Sequence, residues 1–359
     1  MGSLTPGIAL SIESSCDETA VAFVNENGWV IDQVLFSQIE IHKKFGGVVP
    51  EIASRSHFEV LDSLVSELFA RNPTVKKTDI TFVCATKTPG LIGPLLVGAT
   101  YAEAFAKGLG VEFRGVHHLR GHLAGSLLSE QSTNVLLVEK AKEIFPALVL
   151  LASGGHTSIL KVNDDLKAQS LIKTVDDAAG ECFDKSAKLM GLGYPGGPVI
   201  EKLADEFWLN ADQSQKDSAM ELAKTLPVPK TQEGDFSFSG LKTAIRLTIE
   251  KAPQTMNKGL YCWAVQNSIA ESLEQGVRRS LKKISAEELA GIKTFVFCGG
   301  VAANKTLRSR IQNMAVLNKM EFLAPPIKYC TDNAAMIGAS AWVQAKELAP
   351  KQIQARSSL

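Results

Sequence analysis

A strand–turn–strand–turn–strand unit occurs twice in this chain, and no other feature narrows its fold as far. In the first copy, apolar runs at 8–12, 19–24 and 30–36 are separated by a polar turn (13–18) and by the turn signal Asn25-Glu26-Asn27-Gly28. In the second, runs at 147–152, 157–162 and 170–175 are separated by Ser153-Gly154-Gly155-His156 and by a turn at 163–165. The residues differ, but their order and spacing match.

Helix and strand patterns alternate around these copies. A helix is predicted over 50–72, because Ile52, Val60, Leu61, Leu64, Val65 and Leu68 fall on one face. Then come a buried strand (80–85), a loop (89–94), a helix (95–108) and a strand (113–117). After the second copy the pattern gives a helix at 180–190, a loop at 191–198, a helix from 199 and a polar surface insertion at 210–233. Helices follow at 240–250 and 260–283, then a strand (294–298), a Gly-rich turn, a helix from 304 and a last long helix at 333–346. This alternation predicts an α/β chain of two similar lobes. The expected first lobe is 1–130 and the second 145–336, followed by a C-terminal helix and polar tail at 337–359. The polar stretch 129–143 is the expected boundary.

Composition excludes several classes. With 359 residues, 45% hydrophobic and 21% charged, the chain is long enough for two cores and ordinary for a globular protein. Its 38 basic and 38 acidic residues cancel, so no global basic field drives nucleic-acid binding. The six Cys form no C-x-x-C pair, which reads as reduced, partly buried thiols in a cytoplasmic protein. Residues 1–6 lack a secretory pattern, and Pro6 breaks the myristoylation pattern. The most apolar window, 91–111, holds Glu103 and Lys107, so it reads as a buried helix and no membrane association is expected.

The candidate metal centre starts from His118 and His122. Four residues apart on a helix beginning near His118, they share one face. Asp332, in the loop-like run before the last helix, offers a third ligand. Two histidines and a carboxylate suit one divalent metal per subunit, Fe(2+) first and Zn(2+) also. His117 has Gly121 at the matching spacing, so it makes no such pair.

Hydroxyl- and Gly-rich loops at the same place in each copy, 14–19 and 153–157, have the composition to hold phosphate or carboxylate. A third, Gly299 to Asn304, leaves a strand and opens a helix; it suits a ring or ribose, or is simply a turn with Asn304 as N-cap. Asp184 lies a turn too deep in its helix to be a cap, where a carboxylate can bind ribose hydroxyls. Asp17 is the candidate proton acceptor, against the alternative that it only orders its own turn.

Together these residues resemble the tRNA N6-adenosine threonylcarbamoyltransferase family (bacterial TsaD type). The resemblance rests on Glu13-Ser14-Ser15-Cys16-Asp17-Glu18-Thr19, the His118/His122 pair, Ser153-Gly154-Gly155-His156-Thr157 and Phe183-Asp184-Lys185. It continues through Tyr194-Pro195-Gly196-Gly197-Pro198, Phe236 to Lys242, Gly299 to Asn304 and Cys330 to Ala335. It implies the two-lobed fold of actin, Hsp70 and sugar kinases. It also implies transfer of a threonylcarbamoyl group from L-threonylcarbamoyladenylate to N6 of a tRNA adenosine, with release of AMP. By motif match it puts the metal on His118, His122 and Asp332. The adenylate falls on Leu151, Ala152, Ser153, Gly154, Gly155, Asp184, Gly197, Glu201 and Asn304. The partners implied are tRNA, a paralogous same-fold protein (TsaB type) and a small ATPase (TsaE type), with a homodimer as the alternative. Two positions depart from the pattern: Arg120 stands where an acidic residue is expected, and Lys87 where a smaller or neutral one is.

Two other functions compete. A metalloprotease needs His-Glu-x-x-His, and the residues between the two histidines include no Glu. An ATP-dependent kinase or ATPase of the same fold has no use for a His-His-Asp set.

Overall fold

The computed structural model describes residues 7–344 apart from 46, 164–166, 229, 230, 232 and 252–256. The expected turn at 163–165 lies mostly outside the described residues. The same holds for residues 1–6, the end of the expected last helix and the tail.

The chain divides into two compact units. One comprises the chain up to Glu143 together with the stretch that begins at Pro325; the other is Ile144–Ala324. The first unit holds β1 (Ile8–Glu13), β2 (Glu18–Asn25), β3 (Val30–Ser37), α1 (Ile39–Lys43), α2 (Pro50–Arg71), β4 (Ile80–Thr88), α3 (Ile92–Leu109), β5 (Glu112–His117), α4 (His118–Ala124) and α5 (Leu137–Ile144). The second contains β6 (Ala147–Ala152), β7 (Thr157–Val162), β8 (Ala168–Lys173), α6 (Ala179–Leu189), α7 (Gly196–Asn210), α8 (Gln213–Thr225), α9 (Ser239–Lys251), α10 (Lys258–Leu281), α11 (Ala286–Gly291), β9 (Thr294–Cys298), α12 (Lys305–Leu317) and β10 (Glu321–Leu323). The last helix, α13 (Ala334–Val343), returns to the first unit.

Each unit has a five-stranded sheet, ordered β3-β2-β1-β4-β5 and β10-β9-β6-β7-β8. Read from the other edge, the second order repeats the first. In both, three strands form an antiparallel meander and two more add in parallel. The central strands β1 and β6 are buried almost throughout, as strands covered on both faces must be, and β6 is wholly apolar. The duplicated unit is therefore the sheet of the actin, Hsp70 and sugar-kinase fold, used twice.

In the first unit, Leu10, Ile12, Val21 and Phe23 pack against Leu61, Leu64, Val65 and Leu68 of α2 and Ala102 and Ala106 of α3. On the other face Ala9, Phe82, Cys84 and Val116 pack against Met336, Ile337 and Ala341 of α13. Truncating one of these large side chains, such as Leu68, to Ala costs about 2–5 kcal/mol.

Three expectations change. The second lobe was expected to run on to 336, with 337–359 as a separate end; instead the chain re-enters the first unit at Pro325, because α13 is buried from Ala334 through Ala341 and covers that sheet. The segment at 210–233 contains α8, which buries Ala219 and Ala223 and packs on α10. Strand β8 starts and ends two residues earlier than expected. Five cysteines are buried, Cys16 is half-buried, and no disulfide joins them. No helix among the described residues is long and apolar enough to cross a membrane.

Candidate metal centre and glycine-lined circuit

Strand β5 ends at His117, and α4 begins at His118. Within α4, Gly121 lies between the two histidines, where an added Cβ would sit 2.7 Å from Ile337 Cδ1. Glycine at this position lets α4 lie against α13 without displacing the buried Ile337 side chain. At the start of α13, Asn333 is the N-cap: its Oδ1 accepts from Met336 N (2.8 Å) and its Nδ2 donates to Tyr329 O and Thr331 O. That pins the loop carrying Asp332 against α4.

The expected three ligands come together. His118 Nε2 and His122 Nε2 lie 3.4 and 3.2 Å from Asp332 Oδ1, and one ligand atom from each residue falls within 4.8 Å of the others. Donors about 2.1 Å from a common ion sit roughly 3–3.5 Å apart, so two of the edges already have that length. Among the described residues neither ring nitrogen of buried His122 has an aligned hydrogen-bond partner, although Asp332 is close. A buried imidazole aimed at a carboxylate yet not aligned to bond it fits a nitrogen placed for an ion between them.

The electrostatics agree. Burial pulls the His118 imidazole down, but Asp332 and Glu13 raise it well above its usual value. Burial would likewise raise Asp332 and Glu13, yet the His118 charge holds both carboxyls low. Two carboxylates thus face a site that calls for positive charge, and a divalent metal would take the place of the proton.

Glu13, at the end of β1, belongs to the same group. It is fully buried; its Oε2 lies 3.2 Å from His118 Nδ1 and accepts from Thr86 Oγ1 at 2.5 Å. A carboxylate on the far nitrogen of a ligating histidine orients the ring and raises its basicity. The available signal was a Glu closing an apolar strand with no helix to cap.

The adjoining loop passes the same group, with Ser15 Oγ 3.2 Å from His118 Nδ1. Its turn is tied by Ser15 N donating to Glu13 Oε1. Among the described residues no backbone N–H bonds the Asp17 carboxylate, and its Oδ2 is buried without a partner. Glu13 thus takes part in ordering this turn. Burial and the Asp17 charge push Glu18 well up. Of the two departures, Lys87 lays its stem over Gly115, where an added Cβ would meet Lys87 Cδ at 2.8 Å.

The residues expected to hold the adenylate all lie in the second unit, joined in a closed circuit. Leu151 and Ala152 end β6 beside Cys298 of β9. Ser153 O accepts from Gly180 N at the start of α6, and Asp184 Oδ1 of α6 accepts from Gly196 N at the start of α7 (2.7 Å). Glu201 Oε1 of α7 accepts from Lys305 N (2.6 Å). Asn304 caps α12 through Leu307 N and donates to Gln266 Oε1. Gly299, at φ 92°, returns to within 2.3 Å of Ala152 O, measured from an added Cβ. The N-cap reading of Asn304 thus holds.

The glycines of this circuit divide in two. At Gly180, Gly196 and Gly299 a Cβ would strike backbone atoms at 2.6, 2.6 and 2.3 Å. At Gly154, Gly155 and Gly197 it would meet nothing within 4 Å. The first three let segments touch; the other three leave bare backbone facing open space, as a close-lying ligand requires.

A duplicated actin-type sheet carrying a two-histidine, one-carboxylate group that could hold a metal ion defines a member of that fold class. The family model described as "TsaD: tRNA N6-adenosine threonylcarbamoyltransferase" matches residues 29–339. The relative of that name in Paramagnetospirillum magneticum is 42% identical over 346 residues, 95% of this chain and 92% of the relative. Those in Nitrosospira multiformis and Nostoc punctiforme are 41% and 42% identical, each over 92% of this chain and 89% of the relative. This chain belongs to the tRNA N6-adenosine threonylcarbamoyltransferase family. Among solved structures, the activator of 2-hydroxyisocaproyl-CoA dehydratase from Clostridium difficile with bound ADPNP is 13% identical at a TM-score of 0.49, over 94% of this chain and 96% of that one.

Proposed function

We propose that this chain is an acyltransferase that moves the threonylcarbamoyl group from L-threonylcarbamoyladenylate to N6 of the adenosine just 3′ of the anticodon, in tRNAs reading codons that start with A, forming t6A. The observation that carries this reading is the family match across residues 29–339. The amine nitrogen attacks the carbamoyl carbon, the bond from that carbon to the phosphate oxygen breaks, and AMP leaves with the electron pair. The amine proton goes to a carboxylate, for which Asp17 is the candidate: among the described residues no hydrogen-bond partner reaches its buried Oδ2.

The adenylate is assigned to the circuit of the second unit. The bare backbone at Gly154, Gly155 and Gly197 supports this, with Leu151, Ala152, Ser153, Asp184, Glu201 and Asn304 as its frame. A divalent metal on His118, His122 and Asp332, Fe(2+) before Zn(2+), would supply Lewis-acid polarisation and orientation of a carboxylate or carbonyl oxygen without redox change. Glu13 holds His118 for that purpose.

The neutral net charge supports weak unaided tRNA binding, and the partners the family resemblance implies are a same-fold protein and a small ATPase, with a homodimer as the alternative. The test is AMP release from synthetic adenylate. The expected result is release that rises when unmodified tRNA is added; release indifferent to tRNA would defeat the assignment. Turnover by the isolated chain that added partners leave unchanged would defeat the partner reading.

A further inference from the structure

The buried polar groups that this mechanism leaves unused include two histidines with no solvent contact, His42 and His57. They belong to a hydrogen-bonded chain whose proton positions the partners dictate. His57 Nε2 lies 3.0 Å from Cys16 O. A carbonyl only accepts, so Nε2 carries the proton and Nδ1 is bare. The Thr19 hydroxyl, 2.7 Å away, donates to that Nδ1. His42 Nδ1 faces Val49 N at 3.3 Å, and an amide N–H only donates, so His42 is also protonated on Nε2. That Nε2 donates to Gln38 Oε1 at 3.1 Å, and the Gln38 amide nitrogen lies against the His57 ring, 3.3 and 3.4 Å from its two nitrogens. In His57 the proton thus sits on Nε2, toward Cys16 O, and the Nδ1 lone pair accepts from Thr19.

The chain of bonds ends on the loop beside the metal group. His57 holds the carbonyl of Cys16, and Gln38 N holds the next one, that of Asp17, at 3.0 Å. From the other side Leu91 N holds Ser15 O at 2.9 Å. Three consecutive peptide groups are thus fixed from outside the loop, and fixing the peptides around Asp17 fixes where its side chain leaves the backbone. We propose that His57, backed by Gln38 and His42, is a positioning residue that aims the Asp17 carboxylate by holding the Cys16 carbonyl, beside the Asp17 carbonyl that Gln38 N holds. This rests on the transferase reading above, in which Asp17 receives the proton. Misplacing a reacting group by about 1 Å costs roughly 100-fold in rate.

The test compares His57→Gln with His57→Phe in the transfer assay at saturating adenylate. Metal content, KM for adenylate and amide exchange at Gln38 are read alongside. Glutamine presents an acceptor and a donor at about the spacing of the two ring nitrogens; phenylalanine keeps the volume and presents neither. Expected for His57→Phe are a kcat lower by roughly 10- to 100-fold, unchanged KM and metal content, and faster exchange at Gln38. His57→Gln should stay within about threefold of the native kcat. A folded, metal-bearing His57→Phe with native kcat and native exchange overturns the proposal, as does a loss wholly in KM. Should His57→Phe not fold, Gln38→Met removes only the middle link, and native kcat in that variant overturns it equally. If the native protein transfers nothing, the transferase reading falls, and the exchange comparison still decides whether His57 holds the loop.

Discussion

Neighbouring glycines at the start of α7 should respond to the same substitution in opposite ways. In Gly196→Ala the new Cβ would sit 2.6 Å from Phe183 O and 2.7 Å from both Asp184 Cα and Ala187 Cβ. Two of these are backbone atoms of α6, so no flexible side chain can move aside and the helices must separate. Overpacking of this kind costs about 1–3 kcal/mol, offset by roughly 0.5–1 kcal/mol of helix propensity. For a unit of this size each kcal/mol is worth about 2–4 °C, so the net cost, up to about 2.5 kcal/mol, should lower Tm by as much as roughly 10 °C. In Gly197→Ala the Cβ meets nothing within 4 Å, so Tm should hold or rise by about 1–4 °C. The same Cβ would occupy the space assigned to the adenylate, so KM should rise by about tenfold, equivalent to about 1.4 kcal/mol of binding. Thermal melts and KM from AMP release measure both. Equal destabilisation by the two variants would refute the packing argument, and an unchanged KM in Gly197→Ala would refute the ligand assignment.

His122→Ala should lose the metal, read by elemental analysis, while keeping its melt within a few degrees, since the ligands hang from a sheet with its own core. Asp17→Asn should abolish transfer with stability retained; near-normal transfer would remove Asp17 as the proton acceptor. The Asp176 carboxyl accepts from Ser237 Oγ, Phe238 N and Ser239 Oγ at 2.6–2.7 Å. Partial burial raises it, but those bonds win and hold it below its usual value. Its contribution is therefore complete above the unfolded pKa and is lost as pH falls through the lower folded value. Urea midpoints from about pH 6 down to about pH 3 should fall less steeply in Asp176→Asn than in the native protein; parallel curves would contradict this.

The duplicated strands and the histidine helix were legible because they depend on local periodicity. The apolar run of β6 and the four-residue spacing of His118 and His122 carry their meaning within a few residues. The place of α13 was not, since a helix buried on every side carries no stripe to say which sheet it will cover. Helix α8 buries only small residues, Ala219 and Ala223, and so read as a polar insertion. Three-residue β10 has no period to detect. Glu13 was visible as a residue but not as a partner of His118, because that pairing spans the sheet and joins positions 105 residues apart.

The central claim is transfer to a tRNA base, and the most direct measurement is the mass of the nucleosides. Unmodified tRNA and L-threonylcarbamoyladenylate are incubated with the metal-loaded protein in an extract depleted of its own threonylcarbamoyltransferase, so that partner proteins are supplied. The tRNA is then digested and its nucleosides weighed. The account predicts that t6A appears with the native protein and not with His122→Ala. Adenosine left unmodified while AMP is released, or t6A formed equally by both proteins, would contradict it.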